Sequence, residues 1–174
     1  AWRVCTDYVS DDAFEQHILI ERIREPLSIT IDPNSERADF SDAEWLFYEY
    51  DLSKEEFKHK WPDADLSDFA TSDAMPGWLD RDSVRVAEYW FKERTKKMIY
   101  LLGDGSVTDK MIHGLQVIRQ REVESVNVRR ATMAGWTFLD DPQDWPGTMF
   151  PFAIVTGEEY RIKNKTDFRG IVRN

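Results

Sequence analysis

The stretch DSVRVAEYWFKERTKKMIYLLGDGSV, residues 82–107, constrains the fold more than any other part of the chain. Val84, Val86 and Trp90 alternate with Arg85, Ala87, Tyr89 and Phe91, so an extended backbone would carry apolar groups on both faces. That pattern predicts a central strand covered on both sides. The charged run KERTKK reads as the loop of a hairpin, MIYLL as the returning strand, and Gly103-Asp104-Gly105 as a tight turn.

Other segments repeat the theme. WRVCTDYV and QHILIERIR read as strands separated by the turn-prone Ser10-Asp11-Asp12. Leu27, Ile29 and Ile31 share one face of a short strand. Asp32-Pro33-Asn34-Ser35 stops it, because proline lacks the amide proton a ladder requires. Ser41 precedes Glu44 by three, which predicts a helical turn leading into a strand at Trp45–Tyr50. Ser53 and Glu56 repeat that spacing ahead of Phe57 and Trp61, and Pro62 ends the short helix so predicted.

Residues 63–81, with Pro76-Gly77, read as an aspartate-rich loop. Thr108 reads as an N-cap for a helix over DKMIHGLQVI. REVESVNVRRATM is a long strand candidate that Ala134-Gly135 turns back into WTFLDD. DPQDWPG reads as a loop, TMFPFAIVTG as a strand with Pro151 near its start, and EYRIKNKTDFRGIV as a hairpin around Lys163-Asn164-Lys165. The expected class is α+β: strand-rich, with antiparallel hairpins and meanders and two or three short helices.

Charge narrows the partners. Residues 1–80 hold 20 acids and 7 bases, a net of −13, whereas residues 81–174 hold 13 and 16, a net of +3. The acidic front repels phosphate backbones at long range, which argues against strong DNA binding by this chain. The single Cys5 has no partner for an intramolecular disulfide, which fits a reducing compartment. No apolar run has the length of a membrane span, and no signal peptide is recognisable. Strand-like sequence at both ends leads to the expectation that residues 1–174 are one piece of a longer chain.

Catalytic patterns are scarce. His17, His59 and His113 stand apart, and Cys5 has no ligand neighbour, so no zinc spacing emerges. DPNSERADFSD starts like a calcium loop at Asp32, Asn34 and Glu36. It lacks the turn-making glycine and the closing glutamate. Gly103-Asp104-Gly105 lacks the third glycine and the βαβ context of a dinucleotide fingerprint. Asp11-Asp12 and Asp140-Asp141 are turn residues in this reading, because adjacent strand positions face opposite sides. Asn164-Lys165-Thr166 matches a glycan acceptor by chance. Lys92, Arg94, Lys96 and Lys97 are the most concentrated positive set and form the candidate interaction patch, for an acidic partner or a phosphate. No cofactor and no metal is expected. Two alternatives stay open at this point: a metal-dependent enzyme domain using carboxylates such as Asp32, Asp39 and Asp42, and a small module binding an acidic partner.

The order of segments resembles one family. WRVCTDYVSDDAFEQHILIERIREPLSITIDPNSERADFSDAEWLFYEYDLSKEEF, DSVRVAEYWFKE, IYLLGDG, RQREVESVNVRR, AGWTFLDDPQDWPGTMFPFAIVTGEE and FRGIVRN together resemble portal proteins of tailed bacteriophages, the P22-like portal family. The likeness spans nearly all of the chain through short elements. The family's stem helices, crown and barrel have no counterpart here.

The resemblance implies a non-enzymatic structural subunit of a dodecameric ring at one capsid vertex. DNA is packaged and ejected through that ring, which docks terminase and tail adaptors and meets coat or scaffold protein. It further implies a place in the virion, assembly in the host cytoplasm or from a prophage, and a mainly wing-like region for this piece.

Overall fold

In the computed structural model, which describes residues 1–12, 14–64, 82–110, 116–163 and 165–169, the strands follow in chain order. They are β1 (Trp2–Tyr8), β2 (Gln16–Arg22), β3 (Ile29–Ile31), β4 (Trp45–Ser53), β5 (Ser83–Leu102), β6 (Val107–Thr108) and β7 (Val117–Ala134). β8 (Thr137–Phe138), β9 (Gln143–Trp145), β10 (Phe152–Ala153), β11 (Glu158–Ile162) and β12 (Lys165–Arg169) complete the series. One α-helix, α1 (Lys54–Lys60), lies between β4 and β5, and Pro26–Ser28 forms a 3-10 turn.

The large sheet runs β3-β4-β5-β7-β8, with β6 added to β5 and β9 to β7. A smaller sheet runs β10-β1-β2, and β11 pairs with β12. All of these pairings are antiparallel.

The register puts Leu46, Tyr48, Tyr50 and Leu52 of β4 on one face with Val84, Val86, Glu88 and Trp90 of β5. Val128, Arg130, Thr132 and Ala134 of β7 continue that face. Two apolar clusters cover it. At one end Phe57, Val84, Val86 and Ala134 are buried against Leu52, Trp61 and Leu139. At the other, Leu46, Trp90 and Val128 are buried against Ile29, Ile31, Trp145, Phe150 and Phe152. On the opposite face the aromatic rings pack on one another: Phe47 stacks on Tyr89 at 4.7 Å, and Tyr89 on Phe91 at 4.9 Å. Apolar groups on both faces, read from the sequence of β5, thus have two different destinations.

Local chemistry accounts for the ends of these elements. The Ser53 hydroxyl accepts from the Glu56 amide at 3.2 Å, and Glu56 accepts in return from the Ser53 amide at 3.1 Å, closing the expected capping box. Glu55 and Glu56 in the first turn of α1, and Lys58, His59 and Lys60 in its last, complement the helix dipole. Gly105 and Gly135 take positive φ (84° and 57°) at the two tight turns expected around them. Gly147 lets the Trp145 indole fold back, since a Cβ there would sit 2.7 Å from Nε1.

Several expectations are corrected. The class is mostly β rather than α+β with two or three helices, because α1, of seven residues, is the one α-helix among the described residues. Ser41 and Glu44 form no helix start. The Glu44 amide donates to Asp32 Oδ2 (3.1 Å) while its carboxylate goes to Arg94.

KERTKK is not a loop: Ser83–Leu102 is one uninterrupted strand of 20 residues, paired with β7 from Ala87↔Met133 to Leu102↔Val117. Around Thr108, strand pairing replaces the expected helix. Val107 and Thr108 pair with Leu101 and Tyr100, Val117 and Ile118 open β7, and residues 111–115 lie outside the described residues. Within DPQDWPG, Gln143–Trp145 is a strand on β7, whereas the strand expected over TMFPFAIVTG shrinks to Phe152–Ala153 on β1. Of the loop expected over 63–81, residues 65–81 lie outside the described residues.

Phe57 is the largest fully buried side chain and joins α1 to β5. Phe57→Ala is expected to cost about 3–5 kcal/mol, from lost transfer energy plus the cavity left behind. Urea unfolding of wild type and variant measures the difference.

Candidate interaction surface

Long pairing between two strands that have lost their outer neighbours produces the most distinctive surface of the molecule. β4 accompanies β5 only as far as Phe91, and β9 accompanies β7 only over Val128–Arg130. Between these points and β6, the segment Glu93–Ile99, paired with Arg121–Asn127, is a two-stranded ribbon. At about 3.3 Å per residue it extends roughly 23 Å. Bare strand edges invite unwanted pairing, and charged side chains discourage it.

The candidate patch lies on and beside this ribbon. Strand alternation puts Lys92, Arg94 and Lys96 on one face and Lys97 on the other, so three of the four are brought together. Each has an anionic or carbonyl partner. Lys92 Nζ donates to the Ser41 carbonyl at 2.7 Å and lies 5.2 Å from the Phe150 ring centroid. Arg94 donates to Glu44 and, at 2.8 Å, to Glu124. Its hydrogen bonds to Glu44 and then Glu124 raise the guanidinium above its ordinary value, and Arg94 in turn holds the Glu44 carboxyl below the usual carboxylate range. Lys96 lies 3.7 Å from Glu122, and Lys97 lies 3.9 Å from Asp109. The β7 glutamates Glu124 and Glu122 therefore balance Arg94 and Lys96 of β5. Exposed pairs of this kind contribute little to stability.

The carboxylates considered for a metal have local duties. Asp32 is buried; its Oδ1 accepts from the Asn34 amide (2.9 Å) and its Oδ2 from the Glu44 amide. Asp42 accepts from the Ser35 hydroxyl, the Glu36 amide at 2.7 Å and the Arg37 amide at 3.3 Å. Asp39 caps the Ser41 amide at 3.1 Å. They act as turn caps, and among the described residues no three His, Cys, Asp or Glu side chains gather as a metal would require. Asp140 accepts the Trp61 indole N–H at 2.9 Å, which ties the β8 turn to the end of α1.

Two further features have no motif to announce them. A cleft of about 640 Å³ lies between the end of β2 and β4, where Arg22, Arg24 and Arg85 face Glu25, Glu49 and Asp51. At the ribbon tip a groove of about 450 Å³ is lined by Ile99, Leu101, Val107, Arg119, Gln120 and Arg121. The alternation of RQR is the available signal, because it puts Arg119 and Arg121 on one side of an extended strand.

Known proteins resemble this sequence. The family described as phage P22-like portal protein matches residues 1–174. A portal protein of Acyrthosiphon pisum secondary endosymbiont phage 1 is 26% identical over 166 residues, covering 84% of this chain and 23% of that relative. The chain thus spans about a quarter of the length of this curated relative.

The turn built on Asp42 has a measurable pH signature. Hydrogen bonds from the Ser35 hydroxyl, and then from the Glu36 amide, lower its carboxyl from 3.8 to about 2. A lowered folded-state value means that the contribution to stability is full above about 3.8 and is lost as pH falls through about 2. Asp42→Ala is expected to lower the melting temperature at neutral pH and to flatten its decline across that acidic window. Circular dichroism melts in a pH series test both effects.

Proposed function

Because this chain belongs to the phage P22-like portal family, we propose that it forms part of a structural portal subunit: one segment of a closed ring of identical chains at a capsid vertex, through which the genome enters and leaves. The observation that carries this reading is the family match along all of residues 1–174. The role is mechanical rather than catalytic, and within the subunit this segment is the outer, wing-like region.

The architecture suits that role. A sheet braced by two apolar clusters makes a rigid block, and Arg3, paired within the small sheet with Glu21 at 2.8 Å, ties that sheet to the block by reaching Glu88 at 3.4 Å. The ribbon carries interleaved charges of both signs, which favour specific, oriented contact with neighbouring protein surfaces over general attraction to DNA. DNA passes through the assembled ring, while terminase, tail adaptors and coat or scaffold protein meet its outer surfaces. The candidate patch of Lys92, Arg94, Lys96 and Lys97 belongs to such a protein contact. The location that follows is the virion's portal vertex. Among the described residues no helix is long and apolar enough to cross a membrane.

The full-length protein carrying this chain, purified and imaged by electron microscopy, is expected to show closed rings with a central channel. A population that stays monomeric at every concentration and salt condition tried would sink the reading.

A further inference from the structure

Two exposed features of this chain, far apart in sequence, have complementary chemistry. The first is the tip of the β1–β2 hairpin, closed by the Val9 amide donating to the Glu15 carbonyl at 3.0 Å. Phe14 stands at this tip with 100% of its surface exposed, and Val9 and Tyr8 beside it are more than half exposed. Asp11, Asp12 and Glu15 surround them and are also exposed. A fully exposed phenylalanine among carboxylates gains nothing from its own fold. Large exposed apolar groups with a polar rim mark contact sites.

The second feature is the groove at the ribbon tip. Pairing of Ile99 with Arg121, of Leu101 with Arg119 and of Leu101 with Val107 puts these five side chains on one face. Val107 is 65% exposed. Arg119 and Arg121 are exposed and, among the described residues, neither has an ion-pair partner, unlike Arg94 one face away. The groove is apolar at its floor and cationic at its wall, and among the described residues no carboxylate lines it.

Resting on the portal reading, we infer that the β1–β2 hairpin tip of one copy seats in the ribbon-tip groove of the next copy. Phe14 enters the space between Ile99, Leu101 and Val107, and Asp11 and Asp12 meet Arg119 and Arg121. Charge complementarity selects this occupant: the hairpin offers an acidic rim around an apolar knob, and the groove offers the inverse. Aromatic and arginine anchors of this kind carry most of the energy of protein contacts. Within one chain the two features are separate, since Phe14 is wholly exposed and no described residue of β1 or β2 lines the groove. Different patches meeting between identical copies make a heterologous contact, which closes into a ring when the rotation between copies permits.

The test uses the full-length protein and reads the fraction in rings by electron microscopy and sedimentation at one protein concentration. Phe14→Ala, the pair Arg119→Glu with Arg121→Glu, and the pair Asp11→Arg with Asp12→Arg are each expected to lower ring yield about tenfold. The combination of both charge-reversed pairs is expected to restore it. Phe14→Ala alters a side chain without intramolecular packing, so its melting temperature should match wild type and exclude misfolding as the cause. Variants that assemble like wild type, or a combination no better than either pair alone, would overturn the inference while leaving the portal reading intact. The inference also falls if the arginine pair reduces binding of double-stranded DNA but leaves ring yield unchanged. Failure of the wild type to form rings would remove the portal reading and this contact with it.

Discussion

The backbone ladder between β5 and β7 supports the large sheet and both apolar clusters packed on it. Its long register brings Trp90 beside Arg130 and Val86 within reach of Ala134, so both apolar clusters draw on the same pair of strands. β4 aligns on β5 over Trp45–Ser53 and passes directly into α1, which returns Phe57 onto Val84 and Val86. On the far side of the ladder, β9 brings Trp145 against Trp90 with the rings 5.4 Å apart and nearly perpendicular. A one-residue slip between β5 and β7 would move Val84, Val86 and Trp90 to the opposite face. Burial of these side chains therefore specifies the register.

The same ladder continues past the core, and there its side-chain chemistry changes. From Lys92 to Lys97 every residue of β5 but Thr95 is charged, with carboxylates from β7, from the residue ahead of β4 and from the loop after β6 as partners. Little stability comes from such exposed pairs, so the ribbon is held by backbone hydrogen bonds and by its continuity with the buried portion. Charges of both signs keep its edges from aggregating while leaving a patterned surface for a neighbour. The proposed portal role would give that pattern a context, because a ring subunit must present matched surfaces on two sides.

Legibility in the sequence follows the range of the interactions concerned. The Ser53–Glu56 capping box, the Asp32-Pro33 stop, the Gly103–Gly105 turn and the Ala134-Gly135 turn depend on groups within a few residues of one another. Each appears where its motif indicates. KERTKK reads as a loop because a charged run has that local character, while the glutamates that accept it into a strand, Glu122 and Glu124, lie on β7. The capping spacing at Ser41 misleads for a related reason: Glu44 is drawn to Arg94 and to Asp32 instead of to its own turn. Thr108 accepts from the Lys110 amide in a local turn while its backbone pairs with β5. Of the candidate surface, Lys92, Arg94, Lys96 and Lys97 stand out from residue type alone, but their partners and the division between faces do not.

Alternation, turn chemistry and the order of its segments were enough, from residues alone, to establish an antiparallel, strand-rich chain of portal-like character. Those properties are written in neighbouring positions or in the succession of short motifs. Only the tertiary structure decided that one strand runs unbroken through a block of lysines and arginines. It alone brought Arg119 and Arg121 beside Ile99 and Leu101, and left Phe14 wholly in solvent. Such outcomes depend on which distant segment supplies the paired backbone and the opposing charge, and no local pattern encodes that choice.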